Sequence, residues 1–213
     1  TDAPANGEAD AVEPMDIVVA HRHLHITYSS MKYSDKIFMG MTTSPKNAED
    51  VLDMCAILFG KEFLETHCVV TGNCNGNSPL VWDQVMLGAM RAFNRRNQPV
   101  LCSPFVLGGA NTPASTAPAV AQLNAEALSA LAYTQVVRKG CPAIYGHFLS
   151  TVSMQSGAPM AGTPEISLMN FMIGQMARRY NVPWRTSNLL GGSKLLDAQA
   201  GYESAMTMNA VLL

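Results

Sequence analysis

The chain has 213 residues, 48% of them hydrophobic and 14% charged, and its 14 basic and 16 acidic side chains leave a formal net charge of −2. That balance excludes the clustered basic stripe of a nucleic-acid surface, and no run reaches the ~18 apolar residues of a membrane span. The expectation is a cytoplasmic domain, or part of one, with no nucleic-acid or membrane partner.

Thr1 to Asp16 is acidic, rich in alanine and short of large apolar residues, which reads as a flexible lead-in rather than a signal peptide. Residues 1–30 are assigned to this lead-in and an entry segment, and 31–213 to the central part of a barrel catalytic domain expected to be truncated at the C-terminus. His21-Arg22-His23-Leu24-His25 would put alternating histidines on one face of a strand. No cysteine or acid joins them at a recognised ligand spacing, and the segment runs into Ile26–Tyr33, which can be helical, so no metal is expected.

The first apolar run, Lys36–Met41, reads as a strand, and Ser44-Pro45 starts a helix over Asn47–Phe59 with a wide stripe from Val51 to Phe59. Residues 67–79 form a β-branched run that breaks into a turn carrying Asn73, Asn75 and Asn77. A helix is then predicted over Leu80–Asn97, a strand over Pro99–Phe105, and a long alanine-rich helix over residues 114–138, its alanines implying close contact with neighbours. Cys141–Phe148 reads as the fourth strand, and Pro164-Glu165 opens a helix reaching Tyr180. Val182–Asn188 is the fifth strand and Leu195–Leu213 the last helix.

The alternation of strand and helix predicts a parallel sheet. Strands that deliver amides to one rim are how a (β/α)8 barrel builds a small-molecule site. Five units cannot close such a barrel, which needs about 250 residues, so the chain is expected to be part of a larger protein. Exposed parallel edges would make it unstable alone or dependent on partner chains, and a homo-oligomer is expected. The five cysteines lack C-x-x-C spacing and are read as reduced core thiols, with Cys74 as a thiol at the rim. Most of the fourteen methionines sit at helix-core spacing and are read as gap fillers.

Five segments carry a family resemblance: Ser78–Asp83 (SPLVWD), Pro104–Ala110 (PFVLGGA), Gln122–Leu128 (QLNAEAL), Ser156–Pro159 with Gly162–Glu165 (SGAP, GTPE), and Lys194–Glu203 (KLLDAQAGYE). Together they resemble the trimethylamine methyltransferase family, whose members have a (β/α)8 barrel and act with a corrinoid protein. The resemblance implies transfer of a methyl group from a methylated amine to Co(I) of a partner's corrinoid, with no tightly bound cofactor of the chain's own. No non-standard residue stands among the 213 positions, so the chain resembles the pyrrolysine-free branch, some of whose members demethylate quaternary amines such as glycine betaine; trimethylamine is the other candidate. A non-catalytic barrel that binds the amine or the corrinoid protein is the alternative, and a Schiff-base lyase using Lys194 a third.

Such a site needs aromatic faces or carboxylates around a cation. Phe105, Tyr145, Phe148 and Trp184 lie on or near strand ends, and alternation should send about half of them into the helix layer; Phe105 and Phe148, nearest the rim, are favoured. Asn75 and Asn77, with Asn73, can hydrogen-bond a substrate carboxylate or stabilise a turn. His147 can orient substrate or be a structural histidine, and Arg185 can form a bidentate pair with a betaine carboxylate or a salt bridge within the barrel. Glu165 stands at a helix start, where the dipole favours it regardless of function. Lys194 can reach the rim, and Asp197 is read as a helix cap.

Overall fold

The computed structural model describes residues 14–186 and 190–212. Residues 1–13 of the expected lead-in, Ser187 and Asn188 of the fifth predicted strand, and Leu213 lie outside the described residues. In chain order the elements are α1 (Val19–Tyr33), β1 (Phe38–Gly40), α2 (Pro45–Phe59), α3 (Lys61–Thr66), β2 (Val70–Gly76), α4 (Gln84–Arg95), β3 (Val100–Gly108), α5 (Thr116–Val137), β4 (Ala143–Gly146), β5 (Phe148–Val152), β6 (Pro159–Met160), α6 (Pro164–Tyr180), β7 (Trp184–Arg185) and α7 (Ala198–Leu212). The result is a mixed α/β fold with parallel strands, as the sequence predicts.

The described chain divides into two compact units. One takes the chain as far as Cys74 with Asp83–Leu101 and Ala132–Ala143. Here β1 pairs in parallel with β2, Gly40 opposite Gly72. Ser44 caps α2 by accepting the Asn47 N–H at 3.0 Å, and Pro45 follows it. The helices approach these strands closely because the strands carry glycine. A Cβ on Gly40 would lie 2.8 Å from Val51 Cγ1, and one on Gly72 would lie 3.1 Å from the Phe93 ring. Gln98 is fully buried and satisfied, accepting the Val69 N–H at 2.9 Å and donating to the carbonyls of Leu64 and His67 at 2.8 and 2.9 Å.

The predicted helix from Leu80 begins only at Gln84, where Asp83 caps α4 by accepting the Met86 N–H at 2.7 Å. The segment around the three histidines is helical from Val19, so His23 leaves the face of His21 and His25; it is buried and pairs with Asp50 at 3.0 Å. Among the described residues no group of three or more His, Cys, Asp or Glu side chains is arranged to hold a metal.

The other unit takes Asn75–Trp82, Cys102–Leu131 and the chain from Ile144 onward. Parallel pairing joins β3 to β5 and β4 to β7, and β6 adds antiparallel to β5. The predicted fourth strand is thus two strands separated at His147. The core of this unit forms where Val106, Tyr145 and Leu149 meet Ala119, Val120, Leu123 and Ala127 of α5 and Met169, Ile173 and Ala177 of α6. Asn181 ends α6 in the left-handed conformation with φ 55°. Among the described residues no helix is long and apolar enough to cross a membrane.

Candidate functional site

Alternation along the strands sorts the candidate residues. Val106, Tyr145 and Leu149 join the core under the helices, and Trp184 packs against it, so close to α6 that a Cβ on Gly174 would meet its ring at 3.0 Å. Tyr145 is opposite Trp184 in the ladder, and its hydroxyl donates to Asn124 Oδ1 at 2.9 Å. These two aromatic candidates therefore belong to the helix layer.

Their neighbours have the opposite parity. Phe105 is opposite Phe148, and Gly146 opposite Arg185, so Phe105, Phe148 and Arg185 fall on the face away from the helices. The two phenylalanine rings are stacked, with centroids 4.9 Å apart and 7° between their planes, and Phe105 is 39% exposed. Arg185 is half-buried and donates to the His147 carbonyl at 3.3 Å.

His147 is fully buried, and neither ring nitrogen has a hydrogen-bond partner among the described residues. Burial, and secondarily the Arg185 charge, lowers its pKa from 6.5 to about 3, so the imidazole is neutral at physiological pH. By parity it falls on the side of Tyr145 and Leu149, and the strand interruption occurs at this residue.

The asparagines differ from the expected turn. The strand continues to Gly76, so Asn73 and Asn75 are strand residues that alternate with the buried Cys74 and Gly76. Asn75 is exposed, and Asn77, also exposed, begins a turn in which its N–H donates to the Val81 carbonyl at 2.8 Å. Cys74 is buried and its thiol is pushed up to about 12, chiefly by burial, so it is not a reactive rim thiol. Cys68, expected in the core, is the exposed one.

Glu165 is exposed in the first turn of α6. Asp197 does cap α7: its carboxylate accepts the Ala200 N–H at 2.9 Å and the Ser193 hydroxyl at 3.0 Å, which hold its pKa below the usual carboxylate range. Lys194 is exposed and lines an open hollow with Gly162, Gly192 and Glu203. Glu203 accepts the Gly192 N–H at 2.6 Å.

Sequence reasoning missed a buried polar network around Glu126. Glu126 is 2% exposed, and its carboxylate receives the Ser78 hydroxyl at 2.5 Å, the Leu80 N–H at 2.9 Å and the Gln122 amide at 3.0 Å. The available signal was an acid within an otherwise apolar stretch of helix, Ala125 to Leu128.

Parallel strands alternating with helices define an α/β class of fold, and in the second unit the strand parity puts an aromatic pair and an arginine opposite the helix-packed core. The chain belongs to the trimethylamine methyltransferase (MTTB) family, whose model matches residues 6–213. It is 41% identical over 202 residues to a glycine betaine methyltransferase of Desulfitobacterium hafniense, covering 94% of this chain and 42% of that protein. It is also similar to a trimethylamine methyltransferase MttB of the same species, 26% identical over 93% of this chain and 42% of the relative. A proline betaine:corrinoid methyltransferase of Eubacterium limosum is 28% identical over 86% of this chain and 39% of the relative. The chain thus spans about two fifths of the length of these relatives.

Proposed function

We propose that the full-length protein transfers a methyl group from a quaternary amine, glycine betaine or a close analogue, to Co(I) of a corrinoid carried by a partner protein. The observation that carries this reading is the stacked Phe105–Phe148 pair with Arg185 on the helix-free face of parallel strands. The 41% identity to a protein named for glycine betaine supports it. Residues 31–213 form an arc of a (β/α)8 barrel in this reading, and the open face is the barrel interior.

The residues divide the work according to charge. The trimethylammonium group lies against the Phe105 and Phe148 rings, whose π faces attract a cation without offering it a base. Arg185 takes the carboxylate through its guanidinium fork. Asn75 and Asn77 add amide hydrogen bonds that leave the positive charge uncompensated. Glu165, exposed in the first turn of α6, is the carboxylate offered to the ammonium, and neutral His147 adds no second cation beside it.

The reaction needs little else from the protein. Attack by Co(I) on one methyl carbon forms the Co–C bond as the C–N bond breaks. The electron pair of that bond leaves with nitrogen, giving from glycine betaine the dimethylglycine anion with a neutral amine nitrogen, and cobalt is formally oxidised to Co(III). Because the quaternary nitrogen is already charged, no proton is required. Catalysis is therefore positioning of one methyl in line and exclusion of water.

The test is full-length protein with its reduced corrinoid partner, screened against glycine betaine, carnitine, proline betaine and trimethylamine for loss of the Co(I) spectrum. Methylation by one quaternary amine is expected. Tight betaine binding with no cobalt methylation, in a mixture shown to be competent, would instead support a barrel that only binds.

A further inference from the structure

Glu126 lies in the middle of α5, and a buried acid is tolerated only when its charge is well served. Three neutral donors serve it: Ser78 Oγ to Oε2 at 2.5 Å, and the Leu80 N–H and Gln122 Nε2 to Oε1 at 2.9 and 3.0 Å. The backbone carbonyl of the same residue accepts the Trp82 indole N–H at 3.3 Å. Every one of these contacts except that of Gln122 reaches the segment after β2, which carries Asn77.

Trp82 of that segment is half-buried against Gly76, but its two aliphatic side chains are not held by burial. Leu80 and Val81 are 68% and 51% exposed, and Leu80 sits at φ 59°, a conformation that a leucine adopts only when its surroundings impose it. The Leu80 N–H, donated to the Glu126 carboxylate, constrains the backbone at that residue.

The network extends to the end of β3. Gln122 also donates to the Asn111 carbonyl at 3.0 Å, and Asn111 in turn donates to the Phe105 carbonyl at 2.9 Å and accepts the Leu107 N–H at 2.6 Å. Asn111 reaches the Ser78 carbonyl as well, at 3.5 Å. The backbone on both sides of Val106 and the turn from Asn77 to Trp82 are thereby tied to one carboxylate.

We propose that Glu126 is a positioning residue of the amine site, fixing the Asn77–Trp82 turn and the Phe105–Asn111 segment as a single rigid piece of its rim. The proposal rests on the site assignment above, since it gives that site Asn75, Asn77 and Phe105. Hydrogen bonding, not charge, does the positioning. In Glu126→Gln the amide oxygen can accept from Leu80 and Gln122 while the amide nitrogen donates to Ser78 Oγ. Glu126→Ala leaves the donors unserved.

The experiment compares full-length wild type, E126Q and E126A by hydrogen exchange and by betaine-dependent cobalt methylation. In E126A, exchange across residues 77–82 and 105–111 should accelerate about tenfold or more while α6 keeps its protection. KM for glycine betaine should rise about tenfold with kcat changed less than about threefold, the pattern of lost ground-state positioning. E126Q should stay within about threefold of wild type in both assays. Unchanged exchange in the two segments of E126A, an equal rise in every segment, or an E126Q as impaired as E126A would each overturn the proposal. If wild type methylates no cobalt from any amine, the methyl-transfer reading fails by itself, and the exchange data still decide whether Glu126 fixes the two segments.

Discussion

Replacing Phe105 with leucine removes a π face and keeps an apolar side chain. Because Phe105 is 39% exposed and its main partner is the Phe148 ring 4.9 Å away, the change opens no deep cavity. Its cost to stability is the lost aromatic pair, about 0.5–1.5 kcal/mol. The effect on binding should be larger. A cation lying on the stack in a partly desolvated site gains about 1–2 kcal/mol from the rings, so Kd for glycine betaine should rise about 5- to 30-fold. The assay is calorimetric titration of full-length wild type and F105L with glycine betaine and with 3,3-dimethylbutanoate, which has the same shape and carboxylate but no cationic centre. The analogue, whose tert-butyl group is uncharged, should bind the two proteins within about twofold, because burial of its methyl groups is little changed by leucine. Equal weakening of both ligands, or of neither, would refute a cation held on these rings.

Three further outcomes follow from burial and close approach. Gly72→Ala would drive a Cβ to 3.1 Å from the Phe93 ring and should destabilise by about 1–3 kcal/mol; an unchanged urea midpoint would contradict that contact. His147 has its pKa lowered to about 3, by burial first and Arg185 second, against 6.5 ordinarily. The unfolded chain therefore binds the extra proton between those values, so the stability the neutral imidazole confers is present above pH 6.5 and is lost as pH falls, at about 1.4 kcal/mol per pH unit. His147→Asn should flatten the pH dependence of the urea midpoint in that window, and an identical slope would count against it. Alkylation of the native chain at mild alkaline pH should label Cys68 first, since Cys55 and Cys74 are buried with thiols pushed up to about 12. Early labelling of Cys74, read by mass spectrometry, would mean that its strand is open.

Much of the architecture is written locally in the chain. Ser44-Pro45 and Asp83 mark helix starts because capping needs only neighbouring atoms. What the sequence hides is set at a distance. Leu80 to Trp82 fit the stripe of the following helix, yet the acceptor of the Leu80 N–H stands 46 residues away. Asn73 and Asn75 have poor strand propensity and read as a turn, while ladder pairing carries β2 on to Gly76. The helix over Lys61–Thr66 spans six residues, too few to show a period. The same division applies to the site. Four aromatic residues near strand ends were eligible; nearness to the predicted rim favoured Phe105 and Phe148, and the pairing register places Tyr145 and Trp184 with the helix layer.

The central claim is that this family member demethylates a quaternary amine at the face bearing Phe105, Phe148 and Arg185. Its most direct test is a spectroscopic titration of full-length protein and reduced corrinoid partner with glycine betaine, for wild type and Arg185→Leu side by side. Wild type should convert Co(I) stoichiometrically to methyl-Co(III) with release of dimethylglycine, and the variant should show a KM raised at least about tenfold for loss of a charged hydrogen-bond partner. No conversion from any betaine, with the corrinoid shown to accept a methyl group from another donor, would contradict that claim.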